Sequence, residues 1–147
     1  MRKIKTIDAI RKFFKKECSY IDKKSKLCVD FLSNDSVCFS IEPVPVEPIV
    51  EEYIDGGRKE QFVFVLACMF PYNDEIMNNI DNSGFFETIQ DWLEECTENG
   101  VFPKLDSNYS PVEIKAITSG YLFGISEDMS NARYQIQCRF LYDKEGE

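Results

Sequence analysis

The feature that most restricts the fold of this chain is its longest apolar run, Phe62 to Pro71. Phe62, Phe64, Leu66, Cys68 and Phe70 alternate with Val63, Val65, Ala67 and Met69, so a strand here is apolar on both faces. Such a strand lies at the centre of a sheet, or is covered on its second face by helices or another chain. The run falls well short of the roughly 20 apolar residues of a membrane span, and no other stretch comes closer, so no membrane partner is expected.

The residues before the run set up its turn. Ile49–Ile54, Asp55-Gly56-Gly57 and Arg58–Phe70 together predict a long β-hairpin, the glycine pair supplying the positive φ of a tight reversal. Upstream, Glu42-Pro43-Val44-Pro45-Val46-Glu47-Pro48 carries prolines that fix φ and remove amide donors. That excludes helix and central strand. It is expected as an extended arm, either a stiff connector across the domain or a strap against a neighbouring subunit.

Two helices are predicted. Ile4, Ile7, Ile10, Phe13 and Phe14 recur at helical spacing over residues 4–17, with Lys5, Asp8, Arg11, Lys12 and Lys15 on the other face. From Gly84 to Glu98, Phe85, Phe86, Ile89, Trp92, Leu93 and Cys96 make a second apolar stripe. Glu87, Asp91, Glu94, Glu95 and Glu98 give this helix an acidic outer face. Asn82 or Ser83 is expected to cap its start, and Asn99-Gly100 to end it. Further strands are expected at Val37–Ile41, at Val112–Ile125 (bent near Ser119-Gly120) and at Ala132–Tyr142, whose alternation is the cleanest in the chain. A polar linker at Asp22–Lys26, an apolar stretch at Leu27–Leu32 and a turn at Asn34-Asp35-Ser36 complete the reading. The expected fold is α+β: a mainly antiparallel sheet of four or five strands with two main helices over it. One domain is expected over residues 1–142, with a charged, frayed C-terminal tail at 143–147.

Charge is unevenly spread. The formal net charge is -9, yet residues 1–28 hold ten of the seventeen Lys and Arg against three acids. This is either the solvated face of a helix with a basic loop, or a docking surface for an acidic partner or nucleic acid. The basic N-terminus lacks the apolar core of a secretory signal, so a cytosol-like compartment is expected. Cys18, Cys28, Cys38, Cys68, Cys96 and Cys138 are scattered, with no CxxC pair, and are read as free thiols, mostly core fillers.

Little chemistry is on offer. There is no histidine, which removes Ser-His and Cys-His pairs, histidine bases and the usual zinc sets. The glycines form no phosphate-binding loop. Glu51-Glu52, Glu94-Glu95 and Glu127-Asp128 read as solvated surface: the first point to opposite faces of a strand, the second lie on a helix exterior, and the third, with Asn131, lacks the spacing of a calcium loop. No catalytic, cofactor-binding or metal residue is assigned, and the expected role is structural.

Several stretches resemble one family. They are Ile41-Glu42-Pro43-Val44-Pro45, Tyr53-Ile54-Asp55-Gly56-Gly57, Gly84-Phe85-Phe86-Glu87 with Trp92, and Pro103-Lys104-Leu105. They continue through Ser119-Gly120-Tyr121-Leu122-Phe123 and Ala132-Arg133-Tyr134-Gln135-Ile136-Gln137-Cys138-Arg139. In order and spacing, over roughly residues 1–142, the chain resembles the small tail-terminator or minor capsid proteins of phages and prophages of Gram-positive bacteria. The resemblance implies a ring, typically a hexamer, at the head-proximal end of the tail tube. It stops tube polymerisation and joins the tail to the head-completion protein. Implied partners are further copies of the chain, the tail tube protein, the head-completion or neck protein and, in a contractile tail, the sheath protein. DNA passes through such a ring without specific binding, and an excess of acid suits that passage. The implied location is the virion tail, with assembly in the host cytoplasm. Pro43, Val44, Pro45, Tyr53, Asp55, Gly56, Gly57 and Arg58 are expected at subunit or tube contacts. Some relatives are labelled chloramphenicol resistance proteins, but the acetyltransferase of that name relies on a catalytic histidine, which this chain lacks. The alternatives are another neck or connector subunit of a phage or phage-tail-like bacteriocin, or a monomeric adaptor that binds nucleic acid through its basic N-terminal helix.

Overall fold

The computed structural model describes residues 2–21, 27–30, 38–71 and 76–146 (of 71 and 76–83, the backbone only). In chain order the elements are α1 (Thr6–Glu17), β1 (Leu27–Val29), β2 (Cys38–Val44), β3 (Ile49–Glu52) and β4 (Arg58–Pro71). Then come α2 (Ile76–Asn99), β5 (Tyr109–Ala116), β6 (Tyr121–Ile125) and β7 (Asn131–Lys144). The fold is α+β, with both helices against a mostly antiparallel sheet. That sheet has seven strands instead of four or five, because the 27–32 stretch supplies β1 and the strand expected over Val112–Ile125 divides into β5 and β6.

β4 and β7 form the spine, paired antiparallel along their whole length from Arg58↔Lys144 to Pro71↔Asn131. On the outer side of β4, β2 pairs with Val63–Met69 and β3 with Arg58–Glu60. Residues 45–48 leave the ladder between them. On the outer side of β7, β5 pairs with Cys138–Lys144 and β6 with Ala132–Gln135, and residues 117–120 leave the ladder. β1 adds in parallel to β2 at Phe39–Ile41.

Each break has a local cause. Pro43 is tolerated in β2 because β1 reaches only to Ile41, so this part of β2 is an edge. Pro45 and Pro48 then take the chain out of the ladder. The expected arm is therefore a bulge in the sheet edge, and it is pinned. The Gln61 backbone amide donates to Pro48 O at 2.8 Å, and its side-chain amide to Glu47 O at 2.8 Å. The second break divides the single bent strand expected over Val112–Ile125. Here Gly120 crosses Phe86 so closely that an added Cβ would lie 2.3 Å from the Phe86 Cβ. Only glycine fits that crossing.

The core lies between the helices and one sheet face. Phe64, Leu66 and Cys68 of β4 and Ile136, Cys138 and Phe140 of β7 meet Ile10 and Phe14 of α1 and Ile89 and Leu93 of α2. Phe14 stands edge-on to Phe64 at 5.9 Å, and Phe13 stacks on Trp92 at 5.2 Å, joining the helices. Each such side chain contributes roughly 1.5–3 kcal/mol by leaving water. The doubly apolar run occupies the centre of the sheet, between β2 and β7. Val63, Val65, Ala67 and Met69, on its other face, are also buried. Arg133 of β7 reaches across β4 to Glu42 of β2 at 2.9 Å, and its Nε donates to Gln135 at 3.0 Å. The register sets Ala67 beneath this bridge, where a larger side chain would obstruct it.

Several element boundaries differ from expectation. α1 starts at Thr6 instead of residue 4, because the Lys3 and Ile4 amides donate to the Asp106 carboxylate at 2.8 and 3.3 Å. α2 begins at Ile76, so Asn82 and Ser83 lie inside it and do not cap it. Ile76 and Ile80 do not continue the apolar stripe, since nine residues from Ile80 to Ile89 are two and a half turns, and the helix penalty of Asn or Ser, roughly 0.5 kcal/mol, is readily overridden by context. Its far end is as expected: Gly100 takes φ +72° and the Val101 amide reaches Cys96 O at 2.8 Å. β7 runs to Lys144, so Asp143 belongs to the sheet and not to a tail. Glu145 is also tied down, its amide donating to Asn108 O at 2.9 Å. The linker at 22–26, the turn at 34–36 and Val37 lie outside the described residues, as do the last residues of the 27–32 stretch, of which β1 is the first part. All six cysteines are outside disulfides, and five of them are buried. Among the described residues no helix is long and apolar enough to cross a membrane.

Candidate interaction surfaces

The expected contact residues fall into two groups. Pro43 and Pro45 are exposed and Val44 half-buried, and with exposed Val46 they form the outer rim of the β2–β3 edge. The hairpin tip is largely committed to its own chain. Tyr53 N donates to Gly57 O at 2.8 Å and Gly57 N to Asp55 Oδ1 at 2.9 Å, while Gly56 takes φ +90°. Gly57 is buried against the C-terminal strand, where an added Cβ would lie 2.9 Å from Lys144 O. The Tyr53 hydroxyl donates to Asp143 Oδ1 at 2.9 Å, and this bond to a carboxylate pushes its pKa up. At the tip Ile54 is thrust wholly into solvent beside exposed Asp55 and Gly56, with Val50 of β3 half-exposed behind it.

Arg58 is likewise occupied. Its guanidinium pairs with Glu60, a buried carboxylate that also holds Arg2 at 3.2 Å. Arg2 donates further to the Tyr109 hydroxyl at 3.0 Å and to Thr6 Oγ1 at 2.9 Å. Arg2, Arg58, Glu60 and Tyr109 line a cleft of about 430 Å3 at the hairpin end of the sheet. Its charges are largely satisfied from within, as in a structural clasp.

Three further surfaces are present. The first is β6, where Leu122, Phe123 and Ile125 are exposed together with Met129 of the following turn; Phe123 also covers the Arg133 guanidinium at 4.9 Å. The Tyr121-Leu122-Phe123 run gives no sign of this exposure, because apolar strand residues are ordinarily assigned to a core. The outer edge of β5 is blocked at Ile114, where the Thr97 hydroxyl donates to Ile114 O at 2.7 Å and accepts from Ile114 N at 3.0 Å. Among the described residues nothing comparable covers β6.

The second surface is a groove of about 420 Å3 between α1 and the segment after α2. Ala9, Phe13 and Phe102 form its floor, and Lys3, Lys5, Lys12, Lys16 and Lys104 its rim. The third is the outer face of α2, where Glu87, Asp91, Glu94, Glu95 and Glu98 are all exposed as the sequence predicts. The remaining acidic pairs are ordinary surface. Glu51 and Glu52 are exposed, and Asp128 accepts from Ser126 and Ser130 within its own turn. Among the described residues no three potential ligands converge to hold a metal ion. No protein-family model matches the chain, and no curated protein matches it significantly.

Proposed function

We propose that the chain is a structural subunit of a phage tail, a terminator that closes into a ring on the head-proximal end of the tail tube. In this reading the ring stops tube polymerisation and offers its other side to the head-completion protein. The reading is supported by the sequence resemblance, and one structural observation carries it. Among the described residues the sheet has two unlike open edges on opposite sides, β3 with Val46, Val50 and Ile54, and β6 with Leu122, Phe123 and Ile125. An open strand bearing apolar side chains invites strand addition. Contact between two unlike edges runs head to tail and closes into a ring when the rotation permits. The stretches Tyr53–Gly57 and Ser119–Phe123, which carry part of the resemblance, lie at these two edges.

Light scattering and negative-stain microscopy of the protein mixed with purified tail tubes test the reading. Rings of about six subunits, seated on one tube end and arresting its growth, are expected. A strict monomer that neither binds tube ends nor limits tube length sinks it. Binding to the head-portal side instead favours another neck or connector subunit.

A further inference from the structure

We infer that the lysine-rimmed groove on α1 receives the acidic outer face of α2 from a second copy of this chain. This deepens the ring reading and rests on the self-assembly it contains. The two surfaces match in charge. Among the described residues, Lys12 is the one rim lysine of the five with an ion-pair partner, Asp8 at 2.9 Å. Among the described residues none of the five carboxylates on α2 has one.

The spacing carries a cost that a partner relieves. Glu87, Asp91, Glu94 and Glu98 fall on one stripe about 16 Å long. Like charges four residues apart, as in Glu87 with Asp91, Glu94 with Glu98 and Lys12 with Lys16, destabilise a lone helix by roughly 0.2–0.5 kcal/mol each. Docking stripe on groove removes both repulsions at once. Within one copy Trp92, on the flank of α2, is what stacks against Phe13 of α1. The stripe therefore points elsewhere and meets a groove only between copies. Nucleic acid is the poorer occupant, since Asp8 and Glu17 line the same groove and its floor is apolar.

The experiment measures assembly by light scattering, in solution and on tube ends, for wild type and three exposed-surface variants. Lys12→Glu with Lys16→Glu, and separately Asp91→Lys with Glu94→Lys, are each expected to raise the concentration for half-assembly roughly tenfold or more. The chain carrying all four substitutions is expected to recover, because the pairs are restored with signs exchanged. Wild-type assembly weakens in 1 M salt, where the screening length is about 3 Å. If wild type assembles and both two-site variants assemble equally well, the contact is wrong and the ring survives. Loss in both without recovery in the four-site chain also overturns the pairing. A wild type that stays monomeric throughout overturns both. A lysine variant that loses DNA binding while assembling normally assigns the groove to nucleic acid instead.

Discussion

At the scale of single residues, charge and polarity are spent locally. Asp128 accepts hydrogen bonds from the Ser126 and Ser130 hydroxyls, each 2.7 Å long, and from the Ser130 amide at 3.1 Å. These bonds favour the ionised form and lower its pKa from 3.8 to about 2. A depressed carboxylate contributes stability above its unfolded value and loses it as pH falls through its folded value. Carboxyl NMR should therefore place the Asp128 midpoint near 2, with the turn before β7 loosening between about pH 4 and pH 2. A midpoint at the ordinary value would refute this account. Glutamates that look paired in sequence, such as Glu94 and Glu95, do no comparable work inside the fold. Glu60, which no sequence pattern singles out, is the buried carboxylate, because its two cations come from Arg2, far along the chain, and Arg58 nearby.

Elements were legible in proportion to how local their causes are. The alternation of Ala132–Tyr142 and the stripe of α1 follow from periodicity, and both are found where expected. The twofold interruption of the sheet edges was only half visible. Three prolines announce the first break, whereas the second depends on a ring of Phe86 that sits 34 positions away from Gly120 in the chain. Substituting Gly120→Ala should destabilise the protein by about 1–3 kcal/mol, since Phe86 is fully buried and cannot swing clear. Urea unfolding measures this, and an unchanged midpoint would show that the crossing is looser than described. The start of α2 was missed for the opposite reason. Asn82 and Ser83 favour caps locally, yet α2 runs through both from Ile76, where no apolar stripe marks it in the sequence. The exposed β6 was illegible altogether, because hydrophobic strand residues are read as core until their neighbours are known.

At the scale of the molecule, the two chain ends are joined at one end of the sheet. Arg2 reaches Glu60 on β4 and Tyr109 on β5, and Gly146 packs against the Asp55–Gly57 turn. Glu60→Ala removes a buried carboxylate that two arginines share, and should cost about 1–3 kcal/mol by urea denaturation. An equally stable variant would mean that the clasp contributes nothing. The net charge of -9 also conceals a basic α1 beside an acidic α2, so assembly and repulsion are both available to the same chain. Thr97 bears on which of the two prevails. By occupying both main-chain groups of Ile114, its hydroxyl takes that part of β5 out of reach of an incoming strand. Fibril growth needs a long, unbroken seam of free main-chain groups, and on this side of the sheet that seam is interrupted at Ile114.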